Sequence, residues 1–456
     1  MAKKIQYRAL NVQHLSLQTL LDDVQGASRV VVGVDVAKKK FLAALCVSQD
    51  DTRRVIRFEH PTQTAVFVDL LCGLQKAGRV VEVVMEPTGT YGDALRYQLG
   101  LRSIPVYRVN NKHVHDAAEL FDRSTSKHDA KDACLISWLH LNQRSTLWKE
   151  LPEERRRVRA LTAQRELYDR PLRELVAQME PLMARHFPEL ETFFELGRRK
   201  TAFVLLEKYG SPAELGKAGV EQVAAFLLKS VYKADLEVVK ALVHAAQTTT
   251  GAPLVADEVQ LVQLMASEIL RLFKQREQVD ARIASIVKDV PAVQAMRPCL
   301  GAVTAAVIYA HLGAPNDYSC AAALEKAAGL NLVEKSSGTT VGSKHISKRG
   351  AGIVRKYLFL AAMRLLQTDP VAKAWYQART SFRADTKIKA VVALERKLCR
   401  ALFHVAAGQP FDTTKLFDTR RLPSLNVNSE TTIEAAKHFG SAGLVNADSQ
   451  PEAAMN

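Results

Sequence analysis

Four carboxylates stand in contexts where an acid is costly to keep. Asp35 lies in the β-branched run VVVGVDVAKKKF (30–41), and Glu86 ends a second apolar run, VVEVVMEP (80–87). Asp129 and Asp132 sit three apart in KHDAKDA. A carboxylate inside an apolar strand is expensive to bury unless something compensates its charge. A divalent cation is the usual compensation, since Mg²⁺ takes oxygen ligands from one or two carboxylates and from substrate phosphates. Two such ions about 3.5–4 Å apart clamp the attacking and leaving oxygens of a phosphodiester. The chain therefore reads as an enzyme acting on nucleic-acid backbones, with Asp35, Glu86, Asp129 and Asp132 holding Mg²⁺ or Mn²⁺. Each acid also has a plainer reading. Asp129 and Asp132 suit the start of any helix, where the macrodipole favours negative charge, and Asp129 can serve as its cap. Asp35 can mark an edge strand or bulge, and Glu86 can be a strand-terminal surface acid.

A second group is the segment KSSGTTVGSKHISKRG (335–350), where two adjacent serines and two glycines are followed by Lys344, His345, Lys348 and Arg349. Flexible backbone, hydroxyls and cations together can approach a phosphate closely; composition alone equally allows a polar surface loop. Lys38, in the run after Asp35, is a further candidate contact to a nucleic-acid backbone, or part of a solvated face. The whole chain favours a polyanionic partner: 63 Lys and Arg against 48 Asp and Glu give a formal charge of +15. With 47% hydrophobic and 24% charged residues over 456 positions, it is globular and long enough for two or three domains. The six cysteines form no CxxC pair and no zinc spacing with histidine, as expected of reduced thiols in a cytosolic protein. The start lacks the apolar core of a signal peptide and no run reaches membrane-spanning length, so a cytoplasmic location without membrane contact is expected.

The elements that must position these groups follow from periodicity. VVVGVDVA, FLAALCVS and RRVIRFEH come with tight links and predict an antiparallel meander. Apolar positions 66, 67, 70, 71 and 74 predict a helix stopped by Gly78. VVEVVMEP reads as a central fourth strand, TGTYGDALRYQLG as a short helix, IPVYRVN as a fifth strand and NKHVHDAAELF as another helix. The β-β-β-α-β-α-β-α order matches the ribonuclease H-like fold, in which acids from the first strand, the fourth strand and a late helix meet at one sheet edge. Residues 1–28 are expected as an extension with one or two helical turns in HLSLQTLLDDV. Residues 151–290 read as a helical arm: two long charged helices with an insert at 195–255, suited to an antiparallel coiled coil or a dimer contact. In the second, Val259, Leu261, Val262, Leu264, Ile269, Leu272, Val279, Ile283 and Ile286 mark one apolar face. Residues 291–418 form a third, α-helical region carrying the Ser/Gly/basic loop, and 419–456 read as a disordered tail.

These residues carry a resemblance. GVDVAKKKF, EPTGTYG and KHDAKDA resemble the G-x-D-x-A-K, E-x-T-G-x-Y and K-T-D-x-x-D-A motifs of the insertion sequence 110 family of transposases, the DEDD transposases, which include bridge-RNA-guided recombinases. PCLGAVTAAVIYAHLG, AALEKAAGLNLVEKSSG and ISKRGAGIVRKYLFLAAM resemble the family's C-terminal signature. The resemblance covers about 30–150 and 291–410. It implies a RuvC-like domain over 29–150 whose metal-site acids are the same four residues. It also implies a serine-bearing transposase domain, with the nucleophile at Ser337 before Gly338 and Ser336 as the neighbouring alternative. Three departures stand out: His128 in place of threonine before the third acid, Cys299 in place of a glycine, and Leu332 where proline is common. The implied chemistry is attack of the serine on a DNA phosphate to give a covalent link that conserves bond energy for rejoining. The site would be assembled across subunits of a homo-oligomer, a dimer assembling to a tetramer. A structured noncoding RNA would pair with donor and target DNA. The alternatives are a metal-dependent nuclease or junction resolvase working with water, and a non-catalytic nucleic-acid-binding assembly protein.

Overall fold

Valine and isoleucine dominate the strands of the N-terminal half because a branched side chain packs well on a pleated, two-sided surface. The computed structural model describes residues 8–87, 89–122, 128–196, 199–231, 235–334, 342, 344–381 and 386–418. They fall into two compact units, 1–150 and 151–456.

In the first unit the chain runs β1 (Ala9–Asn11), α1 (Leu17–Asp23), β2 (Arg29–Asp35), β3 (Lys40–Ser48), β4 (Asp51–Glu59), α2 (Thr64–Lys76), β5 (Val80–Met85), α3 (Asp93–Gly100), β6 (Val106–Val109), α4 (Asn111–Asp122), α5 (Asp129–Leu141) and β7 (Ser145–Leu147). The seven strands form one mixed sheet in the order β1-β4-β3-β2-β5-β6-β7. The expected meander is present: β2 pairs antiparallel with β3, and β3 with β4. β5 then joins β2 in parallel, and β6 joins β5. Two edge strands are additions to the expected set. β1 lies parallel to β4 and β7 antiparallel to β6. The N-terminal segment thus belongs to the sheet rather than hanging from it, and Leu20 and Val24 are fully buried in its core.

Side chains alternate across each strand. Val30, Val32 and Val34 of β2 enter the larger core with Val81, Val83 and Met85 of β5, while Val31 and Val84 face the opposite core with Leu135, Ile136 and Leu139 of α5. Gly33 lies on the α5 side. A Cβ there would stand 2.3 Å from both the Ala133 carbonyl oxygen and Ser137 Oγ, so the missing side chain lets α5 press against β2. Gly33→Ala is expected to lower stability by about 3 kcal/mol, the upper range for overpacking a tight core. Thermal unfolding of the purified chain checks this; an unchanged midpoint would refute the close approach of helix and strand.

The second unit is helical. α6 (Glu153–His186) leads into α7 (Leu190–Phe193), α8 (Lys200–Tyr209), α9 (Pro212–Val231) and α10 (Leu236–Gln247), then α11 (Ala256–Ile286). α6 and α11 pack antiparallel, as the ion pairs Arg165–Asp280, Asp169–Arg276 and Arg185–Glu258 require. α6 continues through Pro171 and Pro181; each removes a backbone donor and would break an unsupported helix. Packing against α11 and against the buried side chains of α8 to α10 compensates. The broad apolar face expected on α11 is divided. Val262, Ile269, Leu272, Val279 and Ile283 are buried, whereas Leu261 and Leu264 are 45% and 68% exposed.

The base of this arm is continuous with the C-terminal helices. Val158, Leu161, Val279 and Ile283 share one core with α12 (Pro291–Leu300), α13 (Ala302–Leu312), α14 (Ala321–Ala327), α15 (Gly352–Thr368) and α17 (Lys387–Ala406). α16 (Pro370–Thr380) packs beside α15 and α17. Between α14 and α15 the segment expected to be wholly loop contains a short hairpin stem, β8 (Leu332–Glu334) paired antiparallel with β9 (Lys344–Ile346). The substitution of Cys299 for glycine opens no turn: Cys299 is in the last turn of α12, its thiol donating to the Met296 carbonyl, and Gly301 supplies the positive φ of 80°. The tail from 419 lies outside the described residues. No helix among the described residues is long and apolar enough to cross a membrane.

Candidate active site

The parallel register sets the first two acids side by side. Val34 pairs with Met85. Asp35 and Glu86 are each one residue further along neighbouring strands, so they share one end of the sheet. By the alternation of side chains along a strand, both fall on the face covered by α5. Asp129 and Asp132 occupy the first turn of that helix. The close fit at Gly33 brings this turn down towards Asp35. Its cap is His128, whose Nδ1 accepts the Lys131 N–H at 3.2 Å. The sequence offered Asp129 as cap; instead the imidazole does that work and leaves the Asp129 carboxylate free of the capping role. This is also how histidine substitutes for threonine at 128.

The electrostatics show that the acids share one field. The Asp35 carboxyl is pushed from 3.8 up to about 7, first by burial and then by the negative charges of Asp132, Asp129 and Glu86, against a hydrogen bond from the Val36 backbone. Glu86 is also raised, by burial and by Asp132. Mutual repulsion of this kind is relieved by a cation. Among the described residues no three His, Cys, Asp or Glu side chains form a ready-made metal-ligating group. The oxygen-only donor set nevertheless fits Mg²⁺ or Mn²⁺, which leave part of their shell to water and substrate phosphate.

The turn after Glu86 is fitted to the same place. Gly89 has φ 59°, and Gly92 stands where a Cβ would touch Val36 at 3.5 Å. Tyr91, on the same turn, is 48% exposed. Lys131, between the two helical acids, is 1% exposed. Sequence reasoning passed over Gly33, His128 as a cap, and Lys131. A glycine interrupting a valine strand was the available signal for Gly33, since it marks a close backbone approach.

The remaining candidates are dispersed. Lys38 is exposed in the link between β2 and β3. Lys344 pairs with Glu334 across the hairpin stem at 3.5 Å, so its charge is partly matched. Lys348 (φ 54°) and Arg349 are exposed just beyond β9. Ser336 and Ser337 lie outside the described residues. The β8–β9 stem is tied at its base by Ser347 Oγ donating to Asn331 Oδ1 at 2.5 Å and by Arg355 donating to the Ala328 and Gly350 carbonyls at 3.3 and 2.9 Å.

Comparison with known proteins bears on both units. A DEDD-type model described as a transposase matches residues 32–188, and a model of the transposase IS116/IS110/IS902 family matches 295–377. The chain is 27% identical over 305 residues to the 43.6 kDa protein of insertion element IS110 from Streptomyces coelicolor, covering 64% of this chain and 73% of the relative. It is 26% identical over 396 residues to the 42 kDa protein of insertion element IS900 from Mycobacterium paratuberculosis, covering 83% and 95%. The first matched region contains all four acids and the second contains Ser337.

Proposed function

Because the chain belongs to the insertion sequence 110 family of DNA transposases, we propose that it is an RNA-guided recombinase which cuts and rejoins DNA through Ser337 at a site completed by Asp35, Glu86, Asp129 and Asp132. The observation that carries this reading is the setting of Asp35 and Glu86 one residue beyond the paired Val34 and Met85, on the sheet face covered by the helix that starts with Asp129 and Asp132; the upward push on the Asp35 carboxyl by burial and by the other three acids agrees with it. The sheet and its covering helix support a ribonuclease H-like, RuvC-like unit.

The four carboxylates would hold Mg²⁺ or Mn²⁺, which when bound neutralises charge building on the phosphate and makes the serine hydroxyl a better nucleophile. Asp35 and Glu86 are fixed by the sheet, while Asp129 and Asp132 ride on α5, so the fit of α5 sets the spacing of the pairs. Ser337 Oγ loses its proton as it bonds to phosphorus, and the departing sugar oxygen takes one up. One phosphodiester is exchanged for another, so the nick can be rejoined to a different strand without new chemical energy. Water in place of Ser337 would give hydrolysis only.

The exposed Lys38, Lys348 and Arg349, with Lys344 when released from Glu334, supply backbone contacts that carry no sequence information. Sequence choice is then assigned to a structured noncoding RNA pairing with donor and target DNA in the bacterial cytoplasm, and the two halves of the site to different copies in a tetramer built from dimers. The test is strand exchange between two labelled duplexes, with the full chain, Mg²⁺, and RNA copurified from cells carrying the whole element. Exchange that requires both supports the reading. Exchange without RNA removes the guide, and hydrolysed ends alone would favour a nuclease.

A further inference from the structure

The end of the helical unit holds a cationic cleft that the proposed chemistry does not use. Between the last turns of α17 and residues 409–416 lies a cavity of about 250 Å³ lined by Lys397, Arg400, His404 and Lys415 against one carboxylate, Asp412. That carboxylate accepts the Thr414 N–H at 2.9 Å and the Thr414 hydroxyl at 2.6 Å and stays ionised beside Lys415, so it offsets one charge and leaves Lys397 and Arg400 in excess. Lys397 Nζ donates to the Leu416 carbonyl at 2.6 Å, which fixes the ammonium without neutralising it. Arg400 reaches Glu325 at 3.4 Å, but Arg396 holds the same carboxylate more closely at 2.7 Å, and Arg400 remains 54% exposed. Burial first, and then the nearby charges of Arg379 and Arg400, push the Lys397 ammonium below its ordinary value. Crowded cations in a concave site are stabilised by an anion, and Arg and Lys together suit a phosphate.

We propose that this cleft seats a backbone phosphate of a nucleic acid, held by Arg400 and Lys415 at the rim and Lys397 behind. The proposal rests on the recombinase reading and adds to it a phosphate contact separate from the reacting one. The probes are fluorescent duplex DNA and single-stranded RNA of equal length, titrated with the full chain across a range of salt. Arg400→Gln/Lys415→Gln is expected to weaken binding about tenfold. It should also flatten the salt dependence by about one phosphate contact. Lys415→Gln alone, which removes only an exposed charge beside Asp412, should give a smaller change in the same direction with a nearly unaltered melting temperature. A change on DNA only, or on RNA only, supports the site and assigns its source. A control pair, Lys208→Gln/Lys229→Gln on exposed positions of α8 and α9, should leave the salt slope untouched. Equal effects in the control, or none in the cleft variants, overturn the proposal while leaving the recombinase reading standing. Failure of the unaltered chain to bind either polymer would remove both.

Discussion

Asp35→Asn is expected to abolish metal-dependent strand cleavage while making the metal-free protein more stable at neutral pH. The loss of rate should be at least about a thousandfold, equivalent to about 4 kcal/mol of transition-state stabilisation. The gain in stability follows from the sign of the shift. Asp35 ionises near 3.8 when the chain is unfolded and near 7 when folded, so between about pH 4 and 7 the folded form binds more protons. Stability therefore falls as pH rises through that window, and above it the full penalty remains. A shift of this size corresponds to about 4 kcal/mol as an upper bound, and to about 2 kcal/mol once partial solvent screening is allowed for. Removing the charge should raise the apo melting temperature by about 5 °C at pH 8 and leave it nearly unchanged at pH 4. Mg²⁺ should raise the melting temperature of the wild type and have little effect on the variant. Persistence of metal-dependent cleavage in Asp35→Asn would sink the site.

Ser337→Ala is expected to remove the covalent protein–DNA adduct and strand exchange to below detection, while retaining the Mg²⁺-induced rise in melting temperature. Ser336→Ala should retain both activities. The adduct is read as labelled DNA that stays with denatured protein. Asp35→Asn and Ser337→Ala separate the halves of the mechanism: one loses the ion and the other loses the nucleophile. Adduct formation by Ser337→Ala would move the nucleophile elsewhere, and cleavage at an undiminished rate without an adduct would make the enzyme a hydrolase.

Much of the acid geometry was legible because a strand has an exact period of two. Asp35 interrupts one valine run and Glu86 ends another, which marked both as strand acids; that Asp35 closes its strand beside Glu86 follows from the parallel pairing of β2 with β5, which only the match to a ribonuclease H-like order anticipated. The helix start at 129 was legible from the acids themselves, but its cap was not, since histidine is an uncommon cap and Asp129 had the better propensity. β1 and β7 span three residues each, too few for periodicity to register against noise. The stem at 332–334 and 344–346 was hidden by its three-residue strands within a polar segment; Leu332 pairs with Ile346, which packs on the basal core, and Asn331, Ser347 and Arg355 tie the base. On α11, period alone draws a single broad stripe. The structure splits it because α6 and α8 cover only part of the circumference, and which part is covered depends on partners distant in sequence.

The charges linking α6 to α11 have a mechanical meaning. Arg165 is shared by Asp169 and Asp280, and Asp169 is also reached by Arg276. These side chains lie between a distal core and a basal core built on the same two helices. Sliding one helix by a single turn, about 5.4 Å, would separate every one of the interhelical partners at once. The pair consequently resists slippage, since sliding either helix along the other breaks these ion pairs together and shears both cores.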